Sequence, residues 1–207
     1  MKLFPNFIRI LFLGLFLFLL INGKIMLWLA IFAVSLIAAL IFGRVYCGYA
    51  CPMNTLMIPI GRISQKMKMQ TDKTPTWLKG GHFSWITLAA SVALMLLSKR
   101  LLRVDLPILA FWLVISVLVT LRYKPDVFHN LICPFGALQK AFGRFTLLSQ
   151  RVDKGACIGC KLCEKACPSS AIIVSPEDRK AEIHTALCQQ CSNCRQVCPK
   201  GAIHYSK

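Results

Sequence analysis

The sequence predicts a membrane all-α domain of four helices followed by a small α+β domain. Two observations lead to this division. Hydrophobic residues make up 56% and charged residues only 16% of the 207 residues, whereas charged residues are about a quarter of an ordinary soluble protein. The charges are also uneven, since four long stretches are nearly free of them and the C-terminal third is polar. We therefore expect a transmembrane domain over residues 1–150 and a second domain over residues 151–207.

Four apolar segments are candidates for membrane-spanning helices, because the core of a bilayer needs about 20 mostly apolar helical residues. The second segment is uncharged, and the first contains only Arg9, close to one end. A cleaved signal peptide is the alternative for the first segment. That segment has no small-residue cleavage site and the next one follows after a very short turn, which favours a helical hairpin. The segments cover residues 4–22, 25–43, 81–98 and 106–121.

Lysine and arginine residues next to these segments predict the orientation of the chain. The positive-inside rule places both termini, the loop over residues 44–79 and the second domain in the cytoplasm, in a multi-pass protein of a prokaryotic inner membrane. The same clustering explains the net charge of +17 without a nucleic-acid partner, although basic patches also bind nucleic acids. The cytoplasmic side would carry Lys2, Arg44, Arg62, Lys66, Lys68, Lys73, Lys79, Arg122 and Lys124, and the other side Lys24, Lys99, Arg100 and Arg103.

An internal repeat relates the two halves of the membrane domain through a shift of 82 residues. The shift superimposes Val45-Tyr46-Cys47 on Val127-Phe128-His129, and Cys51-Pro52 on Cys133-Pro134. Each copy follows two apolar segments. The domain is therefore predicted to consist of two parallel helical-hairpin repeats related by an axis along the membrane normal. Each repeat ends in a Cys-Pro loop, and both loops would lie on the cytoplasmic side.

The two Cys-Pro loops contain candidate metal ligands. Cys47, Cys51 and Cys133 could meet at the repeat axis, with His129 in the fourth place. The alternative is that these cysteines are small buried hydrophobic side chains. Three cysteines at matched repeat positions favour an additional metal or cluster site, since repeat symmetry places ligands together. The histidine at the fourth position is either a ligand itself or a sign that one site has decayed.

Eight of the eleven cysteines form two identical runs near the C-terminus. Each run reads C-x2-C-x2-C-x3-C-P, the pattern of bacterial ferredoxins that hold two iron–sulfur clusters. Three thiolates of one run surround one cluster, and the fourth cysteine ligates the other cluster. We therefore predict two [4Fe–4S] clusters in a small α+β dicluster ferredoxin domain. The first would be held by Cys157, Cys160, Cys163 and Cys198, and the second by Cys188, Cys191, Cys194 and Cys167.

Two other uses of these cysteines fit the pattern less well. A zinc site typically uses two C-x2-C pairs, whereas both runs here have four cysteines and a trailing proline. A disulfide framework needs oxidised thiols, and runs with metal-ligand spacing indicate reduced ones. An Ala-Ile pair follows each proline, and we expect both pairs to lie in the core that shields the clusters from water. The pairs are Ala171-Ile172 and Ala202-Ile203.

The complete set of motifs resembles a known family. The segments Tyr46-Cys47-Gly48-Tyr49-Ala50-Cys51-Pro52 and Cys133-Pro134-Phe135-Gly136, followed by the ferredoxin domain, are similar to those of the NapH/MauN/NosR-type membrane ferredoxins. The resemblance implies electron movement between the quinone pool and a redox partner, or support of metalloenzyme maturation. It carries the family's membrane C-x3-C-P motif to Cys47 and Cys51, and its ferredoxin ligands to the eight cysteines named above. His129 departs from the family pattern, which has a cysteine there.

The leading functional hypothesis is an electron-transfer subunit of a quinol dehydrogenase, with the lipid bilayer, a quinone or quinol and a redox partner protein as partners. Oxidation of a quinol needs a proton acceptor near the membrane interface. Ionisable residues beside the apolar segments are candidates, although such residues are also common as ordinary interfacial groups. No histidine lies inside an apolar segment, which argues against a b-type haem. The candidate acceptors are His82, Asp105, Asp126 and His129.

A second hypothesis belongs to a different class of protein. The chain would be an accessory or maturation factor that reduces a metal ion or a partner enzyme during metalloenzyme assembly. The Cys-Pro loops would then bind or reduce the metal, and the ferredoxin domain would supply electrons. Parallel repeats are also known in transporters, but the lack of charged residues in the middle of the apolar segments argues against transport.

Overall fold

The computed structural model describes residues 3–71, 74–78, 80–102 and 107–207. The chain divides into two compact units, one formed by residues 1–50 with 139–207 and the other by residues 51–138. Several sequence-based assignments lie outside the described residues. The membrane side predicted for Lys2, Lys73, Lys79 and Arg103 is among them. So are Leu106, the start of the fourth apolar segment, and the candidate proton acceptor Asp105.

The first unit begins with a hairpin of helices α1 (Leu3–Ile21) and α2 (Ile25–Phe42). Gly23 forms the turn between them with a positive φ of 68°, a conformation that glycine adopts without strain. The helices pack through aromatic rings, since the ring centroids of Phe16 and Trp28 lie 5.1 Å apart. Both rings are buried, which removes a large apolar area from solvent and stabilises the hairpin.

The second unit contains helices α3 (Pro52–Lys66), α4 (Phe83–Leu97) and α5 (Ile108–Arg122). Helices α3 and α5 pack against each other, because Gly61 allows close approach and the hydroxyl of Ser64 donates to the carbonyl of Leu121 at 2.6 Å. Trp112 of α5 donates its indole N–H to Ser91 of α4 at 3.0 Å. A short helix α6 (Pro125–Val127) precedes α7 (Pro134–Phe142), which continues into the first unit. Short 3₁₀ or π-helical segments cover Thr76–Leu78, Ser98–Leu102 and Gly143–Phe145.

Two helical segments among the described residues are long and apolar enough to cross a membrane, Ile25–Phe42 and Phe83–Leu101. The helices over Pro5–Ile21 and Ile108–Arg122 are apolar but shorter. At 1.5 Å per residue a helix of the length of α5 extends about 22 Å, less than the ~30 Å core of a bilayer. Large apolar side chains of these helices are exposed, for example Val34 at 67%. These features indicate membrane association, and the crossing of all four segments stays a prediction.

The two Cys-Pro loops have the same local conformation. A π-helical turn covers Tyr46–Ala50 in one and Phe128–Ile132 in the other. Each turn leads to an extended cysteine, with φ and ψ of −68° and 117° before α3 and of −63° and 120° before α7. Proline then begins the helix, the position where its missing N–H costs no hydrogen bond. In both loops a tryptophan ring lies 6.4 Å from the first aromatic ring of the turn, with Trp28 of α2 in one and Trp112 of α5 in the other.

The ferredoxin part of the first unit contains four short strands and two short helices. Strand β1 (Ser149–Val152) pairs with β4 (Ile203–Ser206), and β2 (Ile172–Val174) pairs with β3 (Ala181–Ile183), both antiparallel. The sequence predicted that this domain starts at residue 151. Strand β1 already begins at Ser149, and its backbone pairs with the C-terminal strand β4 from that residue onward. The helices α8 (Leu162–Ala166) and α9 (Asn193–Val197) each follow a residue in the left-handed conformation.

The hydrophobic core of the ferredoxin part confirms the prediction about the two Ala-Ile pairs. All four residues are at most 3% exposed. Ile172 and Ile203 pack in one cluster that also contains cysteines of both runs. Because the core joins the two runs, the fold holds cysteines that are distant in sequence close to one another.

Candidate functional site

Four cysteines line one cavity in the ferredoxin part of the first unit. Three of them come from the first run, and the fourth is the last cysteine of the second run. The remaining wall is mainly apolar and includes Val174 and Ile203. Gly159 lies in this wall with a positive φ of 68°, and a Cβ there would lie 2.2 Å from the backbone oxygen of Arg179. The lining cysteines, called here the first cysteine set, are Cys157, Cys160, Cys163 and Cys198.

The other four ferredoxin cysteines, called the second cysteine set, are Cys167, Cys188, Cys191 and Cys194. Burial is the main cause that raises the pKa of Cys188 and of Cys194 to about 12 each, and neighbouring thiolates that include Cys167 contribute to this rise. Cys167 of the first run is therefore electrostatically close to the second run. Its sulfur accepts a hydrogen bond from the backbone N–H of Ala171 at 3.3 Å, as sulfur ligands of iron–sulfur clusters commonly do.

Both sets fit iron–sulfur clusters by the chemistry of their donors. Burial also raises the pKa of Cys163 and Cys191, so these thiolates need a positive partner in order to exist at neutral pH. Iron supplies that charge, and its binding would release the thiol protons. The side-chain amide of Gln189 is buried and has no hydrogen-bond partner among the described residues. A buried amide without a hydrogen-bond partner lowers the stability of the fold. A cluster bound beside Cys188 would offer sulfur atoms as hydrogen-bond acceptors for this amide.

The spacing of the donors differs from that of a site for a single metal ion. Within the described ranges, no three His, Cys, Asp or Glu side chains form a group that could hold one metal ion. Thiolates around one zinc ion lie only about 3.8 Å apart, given a Zn–S distance of ~2.3 Å. In a [4Fe–4S] cluster the four cysteines bind different iron atoms and stand farther apart. A cavity lined by four separated cysteines is therefore compatible with a cluster.

The loop between Cys188 and Cys191 of the second cysteine set contacts the segment that follows α2. Within the first unit, the hydroxyl of Tyr49 donates to the backbone oxygen of Gln190 at 3.2 Å. Gly48 lies so close to the same loop that a Cβ would be 2.2 Å from the backbone oxygen of Gln189. The amide of Gln190 in turn donates to Ser149 at 2.8 Å. Residues 44–50, called here the 44–50 segment, thus cover the loop between Cys188 and Cys191.

Two buried arginine side chains donate hydrogen bonds to backbone carbonyl groups near the contact between the 44–50 segment and the loop after Cys188. Arg44 is fully buried, and its Nη1 donates to the carbonyl of Ala186 at 3.2 Å. Its Nη2 lies 3.8 Å from the sulfur of Cys47. Arg9 of α1 donates from Nε to the carbonyl of Gly48 at 2.9 Å. The Arg9 side chain is 9% exposed, so it is held inside the first unit.

The candidate ligands of the Cys-Pro loops are distributed over both units. Cys47 belongs to the first unit, whereas Cys51, His129 and Cys133 belong to the second. All four side chains are buried. Within the second unit, Nε2 of His129 is 3.2 Å from the side-chain oxygen of Asn54 in the first turn of α3. Cys133 accepts a hydrogen bond from the backbone N–H of Gly136 at 3.3 Å.

The described candidate proton acceptors have different environments. His82 is exposed and directly precedes α4. Asp126 is half-buried in the first turn of α6, where its charge favours the helix N-terminus. His129 is 1% exposed. Burial with a side-chain partner distinguishes His129 from an ordinary interfacial histidine.

Four residues of the contact around the second cysteine set were not predicted from the sequence as parts of a site. Arg44 counted there only as a positive charge beside a helix, and Gly48, Tyr49 and Gln190 had no assigned role. Glycine immediately after a cysteine could have indicated close backbone approach, but its partner, the backbone of Gln189, is 141 residues away in the sequence.

Comparisons with known proteins match both parts of the chain. Residues 25–70 and 104–154 match a family described as a 4Fe-4S binding domain, and residues 156–202 match one described as a 4Fe-4S dicluster domain. The first family thus covers both Cys-Pro loops, and the second contains all eight ferredoxin cysteines. No solved structure is similar to this chain.

Three curated relatives show a similar level of identity. The chain is 29% identical over 75% of its length to the uncharacterised protein MJ0749 of Methanocaldococcus jannaschii. It is 28% identical over 69% to the ferredoxin-type protein NapH of Haemophilus influenzae, and 27% identical over 68% to the methylamine utilization ferredoxin-type protein MauN of Paracoccus denitrificans. The matches span 63%, 54% and 54% of these relatives' own lengths. Together with the domain matches, these relatives show that the chain belongs to the NapH/MauN-type ferredoxin family.

Proposed function

We propose that this ferredoxin-type electron-transfer protein relays electrons between a quinol in the membrane and a redox partner protein, through two [4Fe–4S] clusters. Each cluster, when bound, supplies a one-electron carrier. Oxidation of one quinol to quinone releases two electrons and two protons, which matches the capacity of two such carriers. The first cysteine set would hold one cluster and the second cysteine set the other.

The observation that carries this proposal is the different surroundings of the two cysteine sets within the first unit. The second set lies under the 44–50 segment, which continues directly from α2, a helix long enough to cross a membrane. In the first set Cys160 is exposed. The neighbouring side chains Ile158 and Leu162 are 57% and 45% exposed. One set therefore lies beside the segment that follows a candidate membrane helix, and the other has a cysteine that is accessible to a soluble protein.

The proposal includes four membrane crossings in two repeats, with the ferredoxin part and both termini in the cytoplasm. The matched conformations of the two Cys-Pro loops support a repeat, since the π-helical turns begin at Tyr46 and Phe128, the positions that the 82-residue shift superimposes. A family of 4Fe-4S binding domains matches both loops. An additional metal or cluster with Cys47, Cys51, Cys133 and His129 as ligands stays a prediction.

Reduction by quinol tests the membrane end of the relay. We expect a quinol analogue added to purified membranes to reduce the clusters, seen as bleaching of their visible absorbance and as an EPR signal. A matched sample with the oxidised quinone should show no change. If the clusters stay oxidised with quinol yet reduced clusters are reoxidised by Cu(II), the chain reduces metal ions instead and the quinol proposal is wrong.

A redox partner is expected to dock beside the first cysteine set. Exposed lysines Lys161 and Lys200 line the same cavity as these cysteines. Ile158 lines this cavity as well and is exposed. A surface with exposed lysines at its rim is complementary to an acidic protein surface, and such charge pairs raise the association rate.

Charge reversal at this rim should slow electron transfer to an acidic acceptor. With flavodoxin as the probe, we expect Lys161→Glu combined with Lys200→Glu to lower the second-order rate of flavodoxin reduction about tenfold at low salt. Raising the ionic strength should remove most of the difference because salt screens exposed charges. Lys66→Glu, the same charge change on an exposed lysine of α3, is the control. Equal rates in the double variant and this control would contradict docking at the rim.

A further inference from the structure

Arg44 is a buried positive charge beside the second cysteine set. It follows α2 by two residues. Its guanidinium donates to the carbonyl of Ala186, two residues before Cys188. Its aliphatic part packs on the backbone after α7, because a Cβ at Gly143 would be 3.0 Å from Arg44 Cγ. The side chain is 0% exposed, so both its position and its dry surroundings are fixed by the fold.

We propose that the positive charge of Arg44 raises the reduction potential of the cluster held by the second cysteine set, a proposal that rests on the two-cluster function above. Reduction adds one negative charge to a cluster. A fixed positive charge nearby stabilises the reduced form, and it does so more strongly in a dry environment than in water. Cluster potentials are known to depend on local charge, hydrogen bonds and solvent exposure.

Burial acts in the opposite direction at this site. Removing water from around a cluster disfavours its more negative, reduced form, in the same way that burial disfavours a thiolate. The second cysteine set is the more buried of the two, since Cys188 and Cys194 are 8% and 6% exposed whereas Cys160 of the first set is exposed. The charge of Arg44 therefore compensates for burial, and it keeps this cluster reducible by a donor on the membrane side.

The electrostatics of the thiols agree with this placement. Burial dominates and raises the pKa of Cys188, while the charge of Arg44 acts against it and lowers that pKa. Arg9 has the same lowering effect on the pKa of Cys191. Arg44 also lowers the pKa of Lys140, although burial is the larger cause there. A charge that stabilises a thiolate at Cys188 also stabilises added negative charge on a cluster bound to it.

An exposed arginine of the ferredoxin part provides a matched control. Arg195 directly follows Cys194, so it is as near in sequence to a proposed ligand as any basic residue of the chain. Its side chain is exposed, and water and salt screen its charge. Proximity in sequence without burial should therefore have little effect on the potential.

Redox titrations followed by EPR test the proposal on the purified full-length protein. The signal of the second cluster is assigned as the one that is lost in Cys191→Ala. In Arg44→Gln we expect the ratio of reduced to oxidised second cluster at a fixed ambient potential to fall about tenfold, equivalent to ~59 mV for a one-electron couple. The first cluster should not shift, and Arg195→Gln should change the ratio less than twofold. An Arg44→Gln shift no larger than that of Arg195→Gln, or equal shifts of both clusters, would overturn the proposal.

Arg44→Lys keeps the proposal testable if Arg44→Gln does not retain its second cluster. Lysine preserves the charge but not the forked geometry of the guanidinium, so the potential should stay within a twofold change of the ratio. A tenfold fall in Arg44→Lys at full iron content would show that hydrogen-bond geometry sets the potential, and the proposal would be wrong. Iron and sulfide analysis of the unmodified protein distinguishes a failure of the proposed function from a failure of this inference. Fewer than two clusters contradicts the proposed function, whereas two clusters without a shift contradicts only this inference.

Discussion

Replacing Cys198 with alanine should remove the first cluster, although Cys198 belongs to the second cysteine run. Cys198 lines the same cavity as Cys157, Cys160 and Cys163, and a [4Fe–4S] cluster needs four cysteine ligands. We expect the iron content to fall from about eight to about four atoms per chain, with loss of one of the two EPR signals of the reduced protein. Iron and sulfide analysis together with EPR measures both changes.

The reciprocal variant is the control for this crossed ligand assignment. Cys167→Ala alters the first run, yet it should remove the second cluster, because the thiolate of Cys167 influences the pKa of Cys188 and Cys194. The two variants should therefore lose different EPR signals. Cys160→Ala should lose the same signal as Cys198→Ala. If Cys198→Ala instead matched Cys191→Ala, each run would hold its own cluster and the crossed assignment would be wrong.

Alanine at Gly48 should destabilise the first unit and shorten the lifetime of the second cluster. The new Cβ would lie 2.2 Å from the backbone oxygen of Gln189. This atom belongs to the backbone of the loop between Cys188 and Cys191, so it cannot rotate away as a flexible side chain would. Overpacking of this kind costs roughly 1–3 kcal/mol. We expect faster loss of cluster absorbance in the presence of an iron chelator, and thermal unfolding at a lower temperature.

Gly14 provides the control for this substitution. It lies inside α1, and a Cβ there would have no atom within 4 Å. Because alanine favours a helix over glycine by about 1 kcal/mol, Gly14→Ala should leave the cluster lifetime unchanged and should not lower the thermal transition. Equal cluster lifetimes in Gly48→Ala and Gly14→Ala would mean that the 44–50 segment does not cover the second cluster in solution.

Much of the candidate site could be predicted from local sequence patterns. The spacing of the eight ferredoxin cysteines specifies ligand loops whose geometry is set within a few residues. The Ala-Ile pairs after each Cys-Pro were correctly predicted as core, because their position relative to the ligands repeats between the two runs. The long apolar helices could also be predicted from local sequence, because a helix is stabilised by hydrogen bonds between residues close together along the chain. Each of these four predicted segments overlaps a helix of the structure, with bounds that differ by at most two residues where both ends are described.

Contacts between distant segments were not predictable in this way. Arg9 was interpreted as a charge near a helix end, and Arg44 as one of many cytoplasmic positive charges. Neither residue lies in a repeating pattern that involves its partner. The structure shows Arg9 bound to the carbonyl of Gly48 and Arg44 bound to that of Ala186. Both acceptors are backbone carbonyl groups, which every residue has. The residue type at the acceptor position therefore does not indicate the interaction.

The sequence by itself therefore determined the ligand runs, the apolar segments and the family of this protein, all of which depend on residues close together along the chain. Only the tertiary structure decided that the 44–50 segment packs on the loop between Cys188 and Cys191, and that a buried arginine lies beside it. These contacts join residues about 140 positions apart. They depend on close approach at Gly48 and on burial, which arise only when the segments pack together.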